Sequence, residues 1–166
     1  LGEMLKAALI PLDKTLKIHP TIVEYDLLGR RTAIESSDSG RQEYFYDECS
    51  NLVRENNSVL RQNNKQIVYK YDGLNRLVYI DYPDTKDTVY TYGEKNDTKG
   101  AAGRIRKIED ASGTLEYEYG SLGEVKKETR TLTHHLNDLL EKETAVMSYR
   151  SDYLGRMQWI IYPDGE

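Results

Sequence analysis

Carboxylates are the commonest reactive groups in this chain, with 28 Asp and Glu among 166 residues. A glycosidase needs two of them about 5–10 Å apart across a cleft. Here they fall in turns and at alternate positions of extended stretches, where they read as turn caps and solvated strand faces. His134 and His135 are of metal-ligand type, but adjacent strand residues point to opposite faces, and His19 is the only other histidine. They read as surface or loop positions. The single cysteine, Cys49, excludes an internal disulfide and a thiolate metal set. It occupies the slot that Leu28 and Leu74 fill in sister segments, which points to a small packed residue. Fourteen tyrosines could stack on sugars, yet they recur in register with turns, as packing at a fixed position requires. No catalytic, cofactor-binding or metal residue is assigned.

The elements beneath these side chains repeat. Tyr25-Asp26-Leu27-Leu28-Gly29-Arg30, Tyr46-Asp47-Glu48-Cys49-Ser50-Asn51 and Tyr71-Asp72-Gly73-Leu74-Asn75-Arg76 are the clearest copies. Tyr92-Gly93, Tyr119-Gly120-Ser121-Leu122-Gly123-Glu124 and Ser151-Asp152-Tyr153-Leu154-Gly155-Arg156 are weaker ones. Their starts at 25, 46, 71, 92, 119 and 151 are 21, 25, 21, 27 and 32 residues apart. Self-similarity at such a period marks a repeat array, and arrays mostly make surfaces and scaffolds.

Each copy has a mechanical reading. The Asp side chain accepts a hydrogen bond from the backbone N–H two residues on. Gly29, Gly123 and Gly155 supply the left-handed backbone position, and Asn75 tolerates it. At 93 and 120 glycine replaces Asp, so that side-chain bond is not expected there. The tyrosine ring pins the turn to the sheet.

Between turns the chain follows a strand–turn–strand plan. Asp110-Ala111-Ser112-Gly113 separates Arg104–Glu109 from Thr114–Tyr119, where Leu115, Tyr117 and Tyr119 share one face and Thr114, Glu116 and Glu118 the other. Ser37-Asp38-Ser39-Gly40 and Pro83-Asp84-Thr85-Lys86-Asp87 divide two further hairpins. Gln66–Tyr71 places Ile67, Tyr69 and Tyr71 together. Trp159-Ile160-Ile161-Tyr162 is apolar on both faces and is expected to be covered on both. Gly93–Gly103 reads as a surface excursion. His134–Glu143, with Leu136, Leu139 and Leu140 at helical spacing, reads equally as a helical turn, a wide loop or a continued hairpin. A lone hairpin is marginal in water, so the copies must lie side by side. The expected fold is all-β, consecutive antiparallel hairpins forming an extended curled sheet over residues 1–166, about six repeats in one array.

Bulk composition agrees. The chain is 38% hydrophobic with one Phe and one Trp, which covers a broad thin sheet more readily than it fills a thick core. The net charge of −5 comes without a dense basic cluster, so nucleic acid is not an expected partner. No apolar run approaches the roughly 20 residues of a membrane span. Leu1-Gly2-Glu3-Met4 matches Leu122-Gly123-Glu124-Val125, and Tyr162-Pro163-Asp164-Gly165 is a turn without a return strand. Both ends read as cuts through a longer array.

Tyr-Asp-x-x-Gly-Arg at this period, with Tyr-Pro-Asp-Gly turns, resembles the YD repeats of the Rhs family. Related chains occur in the C-components of insecticidal Tc toxins, in bacterial wall-associated proteins and in teneurins. The resemblance rests most firmly on 25–30, 71–76 and 152–156, including Arg30, Arg76, Asp152 and Arg156. It implies a hollow β-shell enclosing a C-terminal toxin polypeptide, bacterial and either secreted or on the cell surface. The family's cleaving core carries an Asp-Pro-x-Gly sequence; Pro163-Asp164-Gly165 does not match it, and no catalytic residue is carried over. The expected role is therefore non-catalytic wall material without a cofactor, partnered by neighbouring repeats and the enclosed polypeptide. The alternative is a cell-surface adhesion or carbohydrate-binding module contacting glycans.

Overall fold

The computed structural model describes residues 5–8, 21–136 and 139–165. Leu1-Gly2-Glu3-Met4 and His19 lie outside the described residues. The described residues are all-β apart from one short helix, and the chain divides into two compact units, residues 1–84 and 85–166.

The first unit contains β1 (Leu5–Ala8), β2 (Ile22–Tyr25), β3 (Arg31–Ser36), β4 (Gly40–Tyr46), β5 (Leu52–Asn56), α1 (Ser58–Gln62), β6 (Ile67–Tyr71) and β7 (Leu77–Asp81). Each strand pairs antiparallel with the next. The second unit contains β8 (Thr88–Tyr92), β9 (Ile105–Asp110), β10 (Gly113–Tyr119), β11 (Val125–Leu136), β12 (Leu139–Ser151) and β13 (Met157–Ile161), joined by the same rule. Neighbours in sequence are neighbours in space, which keeps every pairing local and its loop-closure entropy small.

Little of this structure is deeply buried. Ala33, Ile80 and Ala101 are the buried apolar residues among those described, and no large side chain is fully enclosed. Half-buried rows across strands take the place of a core. Cations roof several rings in the first unit: Arg31 lies 4.5 Å from the Tyr44 centroid, Arg54 3.8 Å from Phe45 and Lys70 4.7 Å from Tyr79. Such contacts are worth about 0.5–1 kcal/mol each at exposed sites.

One ion cluster goes deeper. Glu24 is buried, and Arg41 Nη2 donates to its Oε2 at 2.7 Å while Arg41 Nε donates to Glu43 Oε1 at 3.1 Å. Glu24 pairs with Ala33, which pairs with Glu43, so the three lie in one cross-strand row. A buried carboxylate demands such a partner, and the two acids in turn hold Arg41 well above its ordinary pKa.

Several expectations are corrected. Trp159, Ile160, Ile161 and Tyr162 are all exposed, Trp159 to 68%. β13 pairs with β12, and no other described element of the second unit packs over either face. Cys49 is exposed, as are Leu28 and Leu74. Leu122 and Leu154, in the same fourth position of their turns, are exposed too, so that slot is a tip and not a packing site. Of the three readings open for 134–143, the described residues 134–136 and 139–143 take the continued hairpin, with β11 and β12 in register from Lys127↔Ser148 to Leu136↔Leu139. Strand pairing along the whole preceding length outweighs the helical spacing of three leucines. The segment 93–103 is more than a surface excursion: Ala101 is wholly buried and the Lys99 carbonyl accepts from Tyr119 N–H at 2.8 Å. Gly93 permits this, because a Cβ there would collide with the Ala101 backbone. Finally, the connection between β5 and β6 holds α1, whose Asn57 cap accepts from Leu60 N–H at 2.8 Å.

Candidate functional site

The repeated turns share one backbone frame. In the turn at 25–30, Asp26 N–H donates to the Arg30 carbonyl at 2.9 Å and Gly29 N–H to the Asp26 carbonyl at 3.0 Å. The same pair of bonds closes Asp47–Asn51, Asp72–Arg76, Gly120–Glu124 and Asp152–Arg156 at 2.8–3.1 Å. The fifth residue is left-handed throughout: Gly29, Ser50, Asn75, Gly123 and Gly155 have φ between 58° and 83°. A bulge precedes each turn, with register shifts before Tyr25, Tyr46, Tyr71, Tyr92, Tyr119 and Ser151. This is the hairpin loop in which a turn and a left-handed residue combine with a bulge.

Side chains then lock the frame. Asp26 Oδ1 accepts from Leu28 N–H and Arg30 N–H, both at 2.9 Å, and Oδ2 accepts from Arg30 Nε at 2.6 Å. Asp72 with Leu74 and Arg76, and Asp152 with Leu154 and Arg156, repeat that pattern at 2.7–3.0 Å. At Asp47 the partner is Asn51, through its backbone at 2.8 Å and its amide at 3.0 Å. The Arg76 side chain, first, and backbone donors hold Asp72 below the usual carboxylate range, and Asn51 does so for Asp47. At Asp26 and Asp152, burial pushes the carboxyl up but the accepted hydrogen bonds outweigh it.

The turn at 119–124 reverses this arrangement. With Gly120 in the Asp position, Glu124 reaches back from the far end of the loop, and its Oε2 accepts from Leu122 N–H at 2.9 Å. A capping bond therefore forms where none was expected. The turn at 92 also keeps its frame across an insertion. Gly93 N–H donates to the Arg104 carbonyl and Gly103 N–H to the Gly93 carbonyl, both at 2.9 Å. Gly103-Arg104 is the missing Gly-Arg of this copy, separated from Tyr92-Gly93 by Glu94–Ala102; the dipeptide itself was the available signal.

Successive turns are stitched together within each unit. Tyr46 Oη donates to the Arg31 carbonyl and Tyr71 Oη to the Leu52 carbonyl, both at 2.8 Å; in the second unit Tyr119 Oη donates to the Ile105 carbonyl at 2.6 Å. In every case the acceptor is the first residue of the strand that follows the preceding turn. Arginine completes the stitch. Arg30 sits 4.8 Å from the Tyr46 centroid and donates to the Asp47 carbonyl at 3.2 Å and Ser50 Oγ at 3.1 Å; Arg104 sits 5.7 Å from the Tyr119 centroid. Asn51 Nδ2, in the arginine position, donates to Asn75 Oδ1 at 3.0 Å. The assembly does mechanical work: each turn fixes the edge on which the next hairpin seats.

Among the described residues no three His, Cys, Asp or Glu side chains converge as a metal site. His134 Nε2 lies 3.9 Å from Glu141 Oε2 in a half-exposed cross-strand pair. No described helix is long and apolar enough to cross a membrane.

Solved structures share this fold. A crystal structure of TcdB2-TccC3 matches with a TM-score of 0.71 at 16% identity, over 87% of this chain and 8% of that one. A crystal structure of TcdB2-TccC3-TEV gives 0.70 at 16%, over 90% and 8%. The Photorhabdus luminescens Tc holotoxin pore gives 0.69 at 18%, over 89% and 8%. The chain thus spans less than a tenth of the structures it matches, and at these identities the likeness is one of fold. No protein-family model matches the chain, and no curated protein does.

Proposed function

We propose that this segment is non-catalytic wall material of a β-shell that encloses a C-terminal toxin or effector polypeptide, in a bacterial protein that is secreted or displayed on the cell surface. The observation that carries this reading is the stitched turn. The hydroxyls of Tyr46, Tyr71 and Tyr119 reach back to the start of the strand that leaves the preceding turn, so hairpins add in a fixed order. Such a device extends a sheet and supplies no reacting group. The likeness in fold to Tc toxin structures supports the same reading, as do the YD-type motifs at 25–30, 71–76 and 152–156.

Encapsulation is tested by limited proteolysis of the complete gene product. Its C-terminal polypeptide is expected to resist cleavage, and to lose that resistance when Asp26, Asp72 and Asp152 are all replaced by Ala. A C-terminal region digested equally fast in both proteins would reject encapsulation. One observation favours a second reading, a carbohydrate-binding surface: Tyr153, Trp159 and Tyr162 are exposed to 84%, 68% and 51%, and such rings stack on sugars. Saturable, Trp159-dependent binding on a glycan array would favour that reading over wall material.

A further inference from the structure

The last turn of the second unit lacks both halves of the stitch. Residue 151, in the position of Tyr46, Tyr71 and Tyr119, is a serine. Residue 124, in the position of Arg30 and Arg104, is a glutamate whose carboxylate is turned back onto Leu122 N–H. Ring and cation are missing together. Val125 opens β11 just as Arg31, Leu52 and Ile105 open their own strands, so its carbonyl stands where the other three receive a tyrosine hydroxyl.

An open cavity of about 360 Å³ lies at this place, lined by Glu124, Val125, Glu128, Tyr149, Ser151, Gly155 and Met157. It is wide enough for an aromatic ring, and its walls suit one. Tyr149 presents a ring whose hydroxyl points to Glu128 Oε2 at 3.5 Å and lies 3.8 Å from Met147 Sδ. Met157 supplies a polarizable thioether for a ring edge. The turns bracket the site: a side chain at Gly155 would meet Leu122 Cδ1 at 3.9 Å. The stitch elsewhere identifies the group that fits, a phenol whose ring fills the slot and whose hydroxyl donates to a strand-initial carbonyl.

We propose that the cavity beside Ser151 binds a tyrosine side chain supplied in trans by another polypeptide segment. The occupant follows from the three sister positions, each filled by tyrosine and none by phenylalanine. The inference stands whether or not the chain is shell wall, because it rests on the geometry of the repeated turns, two in the first unit and one in the second, and on the cavity itself.

The test is an NMR titration of the full 166-residue chain with p-cresol, toluene, benzamidine and N-acetyl-tyrosinamide. Saturable p-cresol shifts are expected at the amides of Val125, Ser151, Gly155 and Met157. One hydrogen bond should make p-cresol bind about fivefold more tightly than toluene. N-acetyl-tyrosinamide should bind at least as well as p-cresol, since the ligand is a side chain on a backbone. Ser151→Tyr should fill the slot from within, abolish these shifts and raise Tm. No p-cresol shift at these amides, equal binding of toluene, or tighter binding of benzamidine would overturn the proposal, the last by showing a cation site between Glu124 and Glu128. Exclusion of N-acetyl-tyrosinamide while p-cresol binds would overturn the polypeptide source. Undiminished p-cresol binding by folded S151Y would place the ligand elsewhere, and the wild-type comparison decides the matter should that variant not fold.

Discussion

The loops at Asp72–Arg76 and Gly120–Glu124 close with the same two backbone bonds but cap themselves from opposite ends. In the first, an acid at the loop's start collects two backbone N–H groups and the following arginine. In the second, an acid at the loop's end reaches back to one N–H over a glycine. The difference separates what the turn requires from what it merely uses. A left-handed fifth residue and the two backbone bonds are required; the capping carboxylate can come from either end, because the orphan N–H groups point inward between them.

Converting one loop into the other is the strongest challenge to that view. A Cβ at Gly120 would displace the Glu124 carboxylate, the end of a flexible side chain that can swing aside, so Gly120→Asp alone should destabilise by about 1–2 kcal/mol, through like-charge repulsion between two carboxylates competing for the Leu122 N–H. Gly120→Asp combined with Glu124→Arg should recover much of that loss. A coupling of about 1 kcal/mol or more in a urea double-mutant cycle would support the shared frame; simple additivity would argue that the loops differ in kind.

Next in size is the left-handed position itself. Gly29 has φ 76° and open space around it, whereas Gly73 has equal space and no such φ. Gly29→Ala should cost about 1–2 kcal/mol, while Gly73→Ala should be neutral or stabilise by less than about 1 kcal/mol. Equal effects in denaturant melts would mean that the backbone conformation does not set the loop's stability.

The stitch between turns comes third. Tyr71→Phe deletes the hydroxyl that reaches the Leu52 carbonyl and should lower stability by about 1 kcal/mol. Tyr153→Phe, at the 84% exposed tip of the last turn, should stay within about 0.5 kcal/mol of wild type.

The smallest effect is in acid. Asp26, Asp47, Asp72 and Asp152 titrate below an unfolded carboxyl near 3.9. Their contribution to stability is complete above that value and is lost as pH falls through their lower folded values. A melt series from pH 6 to pH 2 should therefore show Tm falling mainly below about pH 4. Asp72→Asn should flatten that fall, and an unchanged acid slope would remove Asp72 from the account.

Much of this was legible from residue type and spacing. Tyr-Asp-x-x-Gly-Arg announced its own loop, because an Asx bond spans two residues and needs no distant partner. Period-two runs such as Leu115, Tyr117 and Tyr119 announced their strands for the same local reason. Other features depended on what came to lie beside them. Trp159-Ile160-Ile161-Tyr162 promised cover on both faces, yet all four are exposed, because cover is set by distant packing and not by a strand's own residues. Gly103-Arg104 completed a turn begun at Tyr92, but nine intervening residues hid the pair. Glu124 stood in the arginine position of its turn, and only the folded loop shows its carboxylate brought round onto Leu122.

By itself, then, the sequence determined the all-β hairpin plan, the place of the turns at 25–30, 46–51, 71–76, 119–124 and 151–156, and the left-handed residue at Gly29, Asn75, Gly123 and Gly155, since these follow from interactions a few residues apart. Tertiary structure alone decided which carbonyl each tyrosine hydroxyl reaches, that Arg41 neutralises a buried Glu24 across Ala33, and that the slot at Ser151 lies open. Those outcomes depend on cross-strand register, where residues some 14–24 positions apart meet, and no local preference encodes that meeting.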